Sequence, residues 1–133
     1  MERDEFVIDE PIGLLPDENI KRGILSEADG GKPSISIVKV IKRYPARKNG
    51  ITSHSYTIVK VRLVTGRTHQ IRVHMSRIGH PVLGDLLYGG ENPVLISRQA
   101  LHSSSMRFIH PVSDELITIN APLASDIQKV IDK

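Results

Sequence analysis

The sequence predicts an α+β fold with a mainly antiparallel, mixed sheet and a few short helices, and three observations carry that prediction. Two β-rich runs, residues 34–42 and 56–64, lie near enough in the chain to pair as a hairpin. A helical stripe at i, i+4 and i+7 follows them, and a second pair of short β-rich runs precedes a final helix. Strands and helices are thus interspersed, with a small helical share, which is the α+β pattern.

The elements follow in order. The opening FVIDEPIG reads as a short extended segment, interrupted by Pro11, Gly13 and Pro16. Residues 17–31 read as an exposed connection ending in a Gly-Gly turn. SISIVKVIK (34–42) is a strand of mixed alternation. The next strand alternates more cleanly: Thr57, Val59, Val61 and Leu63 make one apolar-leaning face, while Lys60 and Arg62 point the other way. Asn49-Gly50 between them is a hairpin-turn signal.

A helix is expected over about 68–78, with Thr68 as N-cap, Ile71, Met75 and Ile78 as its buried stripe, and His69, Gln70, Arg72 and Arg77 beside or opposite it. Gly79 supplies the residue after the helix, and Pro81 prevents its continuation. Residues 106–110 and 116–120 read as strands joined by a Ser113-Asp114 turn. Ser125 is placed to cap a last helix with Ile127, Val130 and Ile131 on its buried face. With 133 residues and no repeat, the chain is read as a single unit over 1–133.

Composition narrows the function. No apolar run approaches the ~18 residues a transmembrane helix needs, and the acidic MERDEFVIDE is unlike a signal or transit peptide. The absence of cysteine excludes disulfides, thiolate metal sites and a catalytic thiol, and points to a reducing, cytoplasmic compartment. Charge is the sharper signal. Residues 1–31 hold nine acids against three bases, whereas residues 32–84 hold eleven Lys and Arg and not one acid. A block of one sign this long favours a polyanionic partner, nucleic acid first, over a merely solvated face.

The stretch TGRTHQIRVH (65–74) joins the basic strand to the helix start, offering a Gly turn, backbone N–H groups and two guanidinium forks. That is chemistry suited to phosphate. His69 and His74 are five apart, not the i, i+4 pair of a helical zinc site, so no metal is expected. His80, His102 and His110 stand beside Pro or apolar residues and read as packed or capping groups.

TGRTHQIRVH, with GHPVLGDLLYG (79–89), RQALHSSSMRFIHP (98–111), the opening IDEPIG (8–13) and the Gly31-Lys32 pair, resembles the RluA/RluD family of RNA pseudouridine synthases from about residue 6 to residue 124. The resemblance implies a pseudouridine-synthase-like fold, present as the C-terminal half of a catalytic domain, and isomerisation of uridine to pseudouridine in ribosomal or transfer RNA without cofactor or metal. It implies that Arg72 orients a catalytic Asp. Arg67, Thr68, His69 and Gln70, with Arg62 and Lys60, would bind RNA or wall the active site. Leu83, Gly84, Asp85 and Tyr88, and then Leu101, His102 and Phe108, match blocks read as structural, and Asp9 matches an Asp outside the reacting centre.

The family's HRLDxxTSG segment, which carries the catalytic Asp, and the Tyr motif after it do not occur in these 133 residues. The chain alone is therefore expected to be inactive. The alternatives are a non-catalytic RNA-binding module and a half-domain completed by an N-terminal partner half or by self-association.

Overall fold

The structure, a computed structural model, describes residues 1–46, 55–90 and 95–132. The chain forms two compact units, Met1–Pro81 and Val82–Lys133. In the first, β1 (Glu5–Asp9) is followed by β2 (Ile12–Leu14), β3 (Arg22–Ile24), β4 (Ile35–Tyr44), β5 (Tyr56–Leu63) and helix α1 (Gln70–Arg77). A three-stranded sheet has the order β1-β4-β5, and β2 and β3 form a separate two-stranded ribbon. Every pairing among the described residues is antiparallel, in keeping with the mainly antiparallel character expected, and the strands are divided among small separate sheets.

Side-chain alternation divides the three-stranded sheet into two faces. Ile8, Ser36 and Val38 are buried on the inner face, with Val61 opposite Val38 and Leu63 opposite Ser36. Lys60 and Arg62 lie on the outer face, as the alternation predicted, paired with Lys39 and Ile37. A bulge between Val40 and Lys42 shifts the register, and Tyr44 then pairs with Tyr56. The Asn49-Gly50 turn lies outside the described residues.

Two expectations need correction. The connection read over 17–31 contains β3, which pairs Gly23 with Gly13 and Arg22 with Leu14. Three residues centred on Gly leave no alternation to read. It also contains a short 3-10 turn at Glu27–Asp29, capped by the Ser26 hydroxyl, which accepts from the Asp29 N–H. The helix expected from 68 begins at Gln70: His69 is its N-cap residue, with φ 58°, and Thr68 does not cap it. Its end is as predicted. Gly79 has φ 81°, and the N–H groups of Gly79 and His80 donate to the carbonyls of Ser76 and Met75, closing the helix with a Schellman pattern.

In the second unit, β6 (Ser105–Ile109) pairs with β7 (Leu116–Asn120), and α2 spans Ser125–Ile131. Ala124, not Ser125, is the N-cap of α2; Val130 is buried, and Ile127 and Ile131 are half-buried. Among the described residues of this unit, Tyr88, Ile96 and Val130 are the buried apolar ones. Gly84, with φ 79°, lies against the backbone carbonyl of Arg98, where a Cβ would collide. Arg98 in turn grips Asp126 through two hydrogen bonds, Nε to Oδ2 at 2.8 Å and Nη2 to Oδ1 at 2.9 Å.

Candidate functional site

The loop over 64–69 and the first turn of α1 bring Arg67, Thr68, His69, Gln70 and Arg72 together. What fixes this corner is a buried polar network. Gln70 is 3% exposed, and all four hydrogen-bonding positions of its amide are used. The Arg67 N–H can only donate and the Ile35 carbonyl can only accept, so the amide orientation follows. Oε1 accepts from the Arg67 N–H at 3.0 Å and the Thr65 hydroxyl at 2.8 Å, while Nε2 donates to the Ile35 carbonyl and the Ser36 hydroxyl, each at 2.9 Å.

The next members follow by the same logic. The Thr65 hydroxyl accepts from the Ile35 N–H at 2.8 Å, which leaves its own proton for Gln70. Ser36 receives Gln70's N–H, so its proton goes to Nδ1 of His74 at 2.8 Å. His74, fully buried, donates from Nε2 to the Glu10 carbonyl at 2.9 Å. A carbonyl cannot donate, so Nε2 carries a proton, and with a single proton on the ring Nδ1 is the acceptor for Ser36. Seven side-chain hydrogen bonds thus run from β4 through the loop and α1 to the residue after β1.

This corrects the helix face expected from hydropathy. Gln70, Val73, His74 and Met75 are buried, whereas Ile71 and Ile78 are half-buried. Burying Gln70 and His74 is tolerated because their polar atoms are hydrogen-bonded. Their i, i+4 spacing around Val73 was the one signal in the sequence that could have marked them. Ser36, Thr65, Glu10 and the role of His74 had none.

The remaining site residues fall in three places. Arg67 and Thr68 are exposed; Arg67 Nε donates to the Pro33 carbonyl at 2.9 Å, which ties the guanidinium to the segment before β4. His69 is half-buried in the left-handed region, where a non-glycine residue costs about 1–2 kcal/mol. Arg72, in the first turn of α1, is half-buried. Arg77, at the exposed end, faces Glu10 at 3.4 Å. Lys60 and Arg62 are not gathered with this group: α1 meets the sheet through Ser36 on the inner face, and they stand on the outer one.

Other candidates hold turns. Asp85 is buried, and its Oδ1 accepts from the N–H groups of Leu87 and Tyr88 at 3.2 Å. His110 Nδ1 accepts from Val112 and Ser113, and His102 Nε2 donates to the Ala121 carbonyl at 3.3 Å. His80 lines an open hollow beside β1 with Asp9, Glu10 and Ile78; burial first, then the Met1 amino charge, holds it below the ordinary histidine range. Among the described residues no group of three His, Asp or Glu is placed to hold a metal, and no helix is long and apolar enough to cross a membrane.

The corner that carries this network ends at Arg77, and residues 1–77 match the family model described as RNA pseudouridylate synthase. The chain belongs to that family. It is 42% identical over 127 residues to an uncharacterized RNA pseudouridine synthase of Bacillus subtilis, covering 96% of this chain and 40% of the relative. It is 39% identical over 138 residues to ribosomal large subunit pseudouridine synthase D of Haemophilus ducreyi, covering 94% of this chain and 39% of that protein. Among solved structures, human RNA pseudouridylate synthase domain containing 1 superposes with a TM-score of 0.74 at 29% identity, over 92% of this chain and 49% of that one. The α+β fold of small antiparallel sheets is thus that of part of a pseudouridine synthase. The chain spans about two fifths of the length of the curated relatives it matches.

Proposed function

We propose that this chain supplies the arginine half of a uridine-isomerising site: the enzyme detaches uracil in ribosomal or transfer RNA, turns it and rejoins it through carbon, in the cytoplasm and without cofactor. The observation that supports this is the presentation of Arg72 in the first turn of a helix whose buried flank is pinned by Gln70 and His74. An arginine held in this way can keep a neighbouring carboxylate ionised and aimed, which a nucleophile requires. Arg67, Thr68 and His69 line the same corner, where the loop's exposed donors suit an RNA backbone.

The carboxylate itself is expected from an HRLDxxTSG segment, which these 133 residues do not contain. It would come from elsewhere on the same polypeptide or from a complementary half-domain. The 133 residues alone should release no tritium from RNA carrying 5-³H-uridine. Adding a fragment with the HRLDxxTSG segment should restore release. In that enzyme Arg72→Ala should lower the rate at least ~100-fold, because breaking one member of a buried ion pair costs about 3–5 kcal/mol, while Arg77→Ala changes it little. Turnover by the unassisted chain, or equal effects of the two substitutions, would overturn this reading.

A further inference from the structure

The outer face of the sheet carries a pattern that the Arg72 corner does not use. Register places Lys39 directly opposite Lys60, and Arg62 opposite Ile37, two residues further along. All three cations are exposed, and none makes an ion pair or hydrogen bond among the described residues. Like charges directly across a pair of strands work against the sheet. Glu5 pairs with Lys39 from the other side, so the acid lies on the β1 side and the β5 side is uniformly basic.

Past the bulge, the same face ends in an aromatic stack. Tyr44 and Tyr56 lie with centroids 4.8 Å apart and planes 15° from parallel, and Lys42 Nζ stands 4.8 Å over the Tyr44 ring. Cations in a row bind a phosphate backbone, and flat aromatic rings at the end of the row match the stacking platforms of proteins that hold single-stranded nucleic acid. An acidic peptide would satisfy the cations but has no use for the rings.

We infer that this face, built from Lys39, Lys42, Tyr44, Tyr56, Lys60 and Arg62, is a second RNA-contacting surface that holds a single-stranded stretch flanking the target. The inference rests on the proposed action on RNA. It adds a surface on the side of the sheet opposite α1.

The test is fluorescence anisotropy of the 133-residue chain with a labelled 20-nucleotide single-stranded RNA at several salt concentrations. Combined K39Q, K60Q and R62Q substitutions should weaken binding at least ~10-fold at 0.1 M salt and reduce the slope of log K against log salt by about 2, at roughly 0.7 per phosphate contact. Tyr44→Leu should weaken binding several-fold with the slope unchanged, and Lys129→Gln should do neither. All substituted cations are exposed, so the unfolding midpoint should hold, and Lys60→Arg should retain binding. A triple variant that binds with wild-type affinity and slope overturns the surface and leaves the Arg72 reading standing. Polyglutamate displacing the RNA as well as unlabelled RNA does would overturn it in favour of an acidic protein partner. A wild-type chain that binds no RNA overturns the surface, while tritium release by the completed enzyme judges the other reading separately.

Discussion

The junction of α1 with β4 and the β6–β7 ribbon invert the usual rule of burial. At the junction, Gln70 and His74 are buried although both are polar, because each of their polar atoms has a partner. In the ribbon, Met106, Phe108, Ile117 and Ile119 share one face, and Met106 and Ile119 are 57% and 51% exposed. A polar side chain is stable inside when its hydrogen bonds close. An apolar one stays outside when a two-stranded ribbon has no layer to place over it. Composition alone ranks these two regions the wrong way round.

The sharpest way to break the comparison is His74→Ala. It removes a fully buried ring and strands the Ser36 hydroxyl and the Glu10 carbonyl, so urea unfolding of unit 1 should lose about 3–4 kcal/mol, from cavity and unsatisfied groups together. A loss below ~1 kcal/mol would mean that the network is ornamental. At the ribbon, the paired substitutions Met106→Thr and Ile119→Thr should change stability by no more than about 0.5 kcal/mol, as exposed positions do. They should also lower the binding of a hydrophobic dye. A large destabilisation would show that this face is covered in solution.

The smallest effect is on α2, in the same unit as the ribbon. Arg98's hydrogen bonds are the largest influence on the Asp126 carboxyl and, with the Ile127 N–H and the charge of Arg98, hold it below its ordinary value against desolvation, the second-largest influence. A depressed carboxyl favours the folded state above the ordinary carboxylate range, near pH ~4, and that contribution disappears as pH falls through the folded value. A carbon NMR titration should therefore show the Asp126 midpoint rising in Arg98→Gln. An unmoved midpoint would show that the pair has no hold on the carboxyl.

The strands with clean alternation were legible: residues 56–64 and 116–120 read almost as they stand, and the Gly79 stop of α1 followed from Gly and Pro chemistry. Strand β3 was not, because a central Gly removes the alternating side chain that marks a strand. The start of α1 was missed because Thr68 has good capping chemistry, whereas the chain turns instead through a left-handed His69, and the Gln70 amide satisfies the loop. The RTHQIR corner was legible as chemistry. Which of its residues face inward was not, since that depends on Ser36 and Glu10, 34 and 64 positions away from their partners. Lys60 and Arg62 were correctly set on one face, but only the contact through Ser36 shows that α1 occupies the other.

One property of the buried network concerns its direction. Along one path the donors point the same way, from the Ile35 N–H through Thr65, Gln70, Ser36 and His74 to the Glu10 carbonyl, and each amide, hydroxyl or imidazole on it accepts on one side and donates on the other, while Gln70 also donates back to the Ile35 carbonyl. Such a chain polarises its members in series, so each bond strengthens the next, and none can be broken without weakening the rest. The consequence is kinetic. The loop, the helix and the Glu10 backbone should open as one cooperative unit, and hydrogen exchange at these sites should share a single opening event instead of fraying inward from the helix ends.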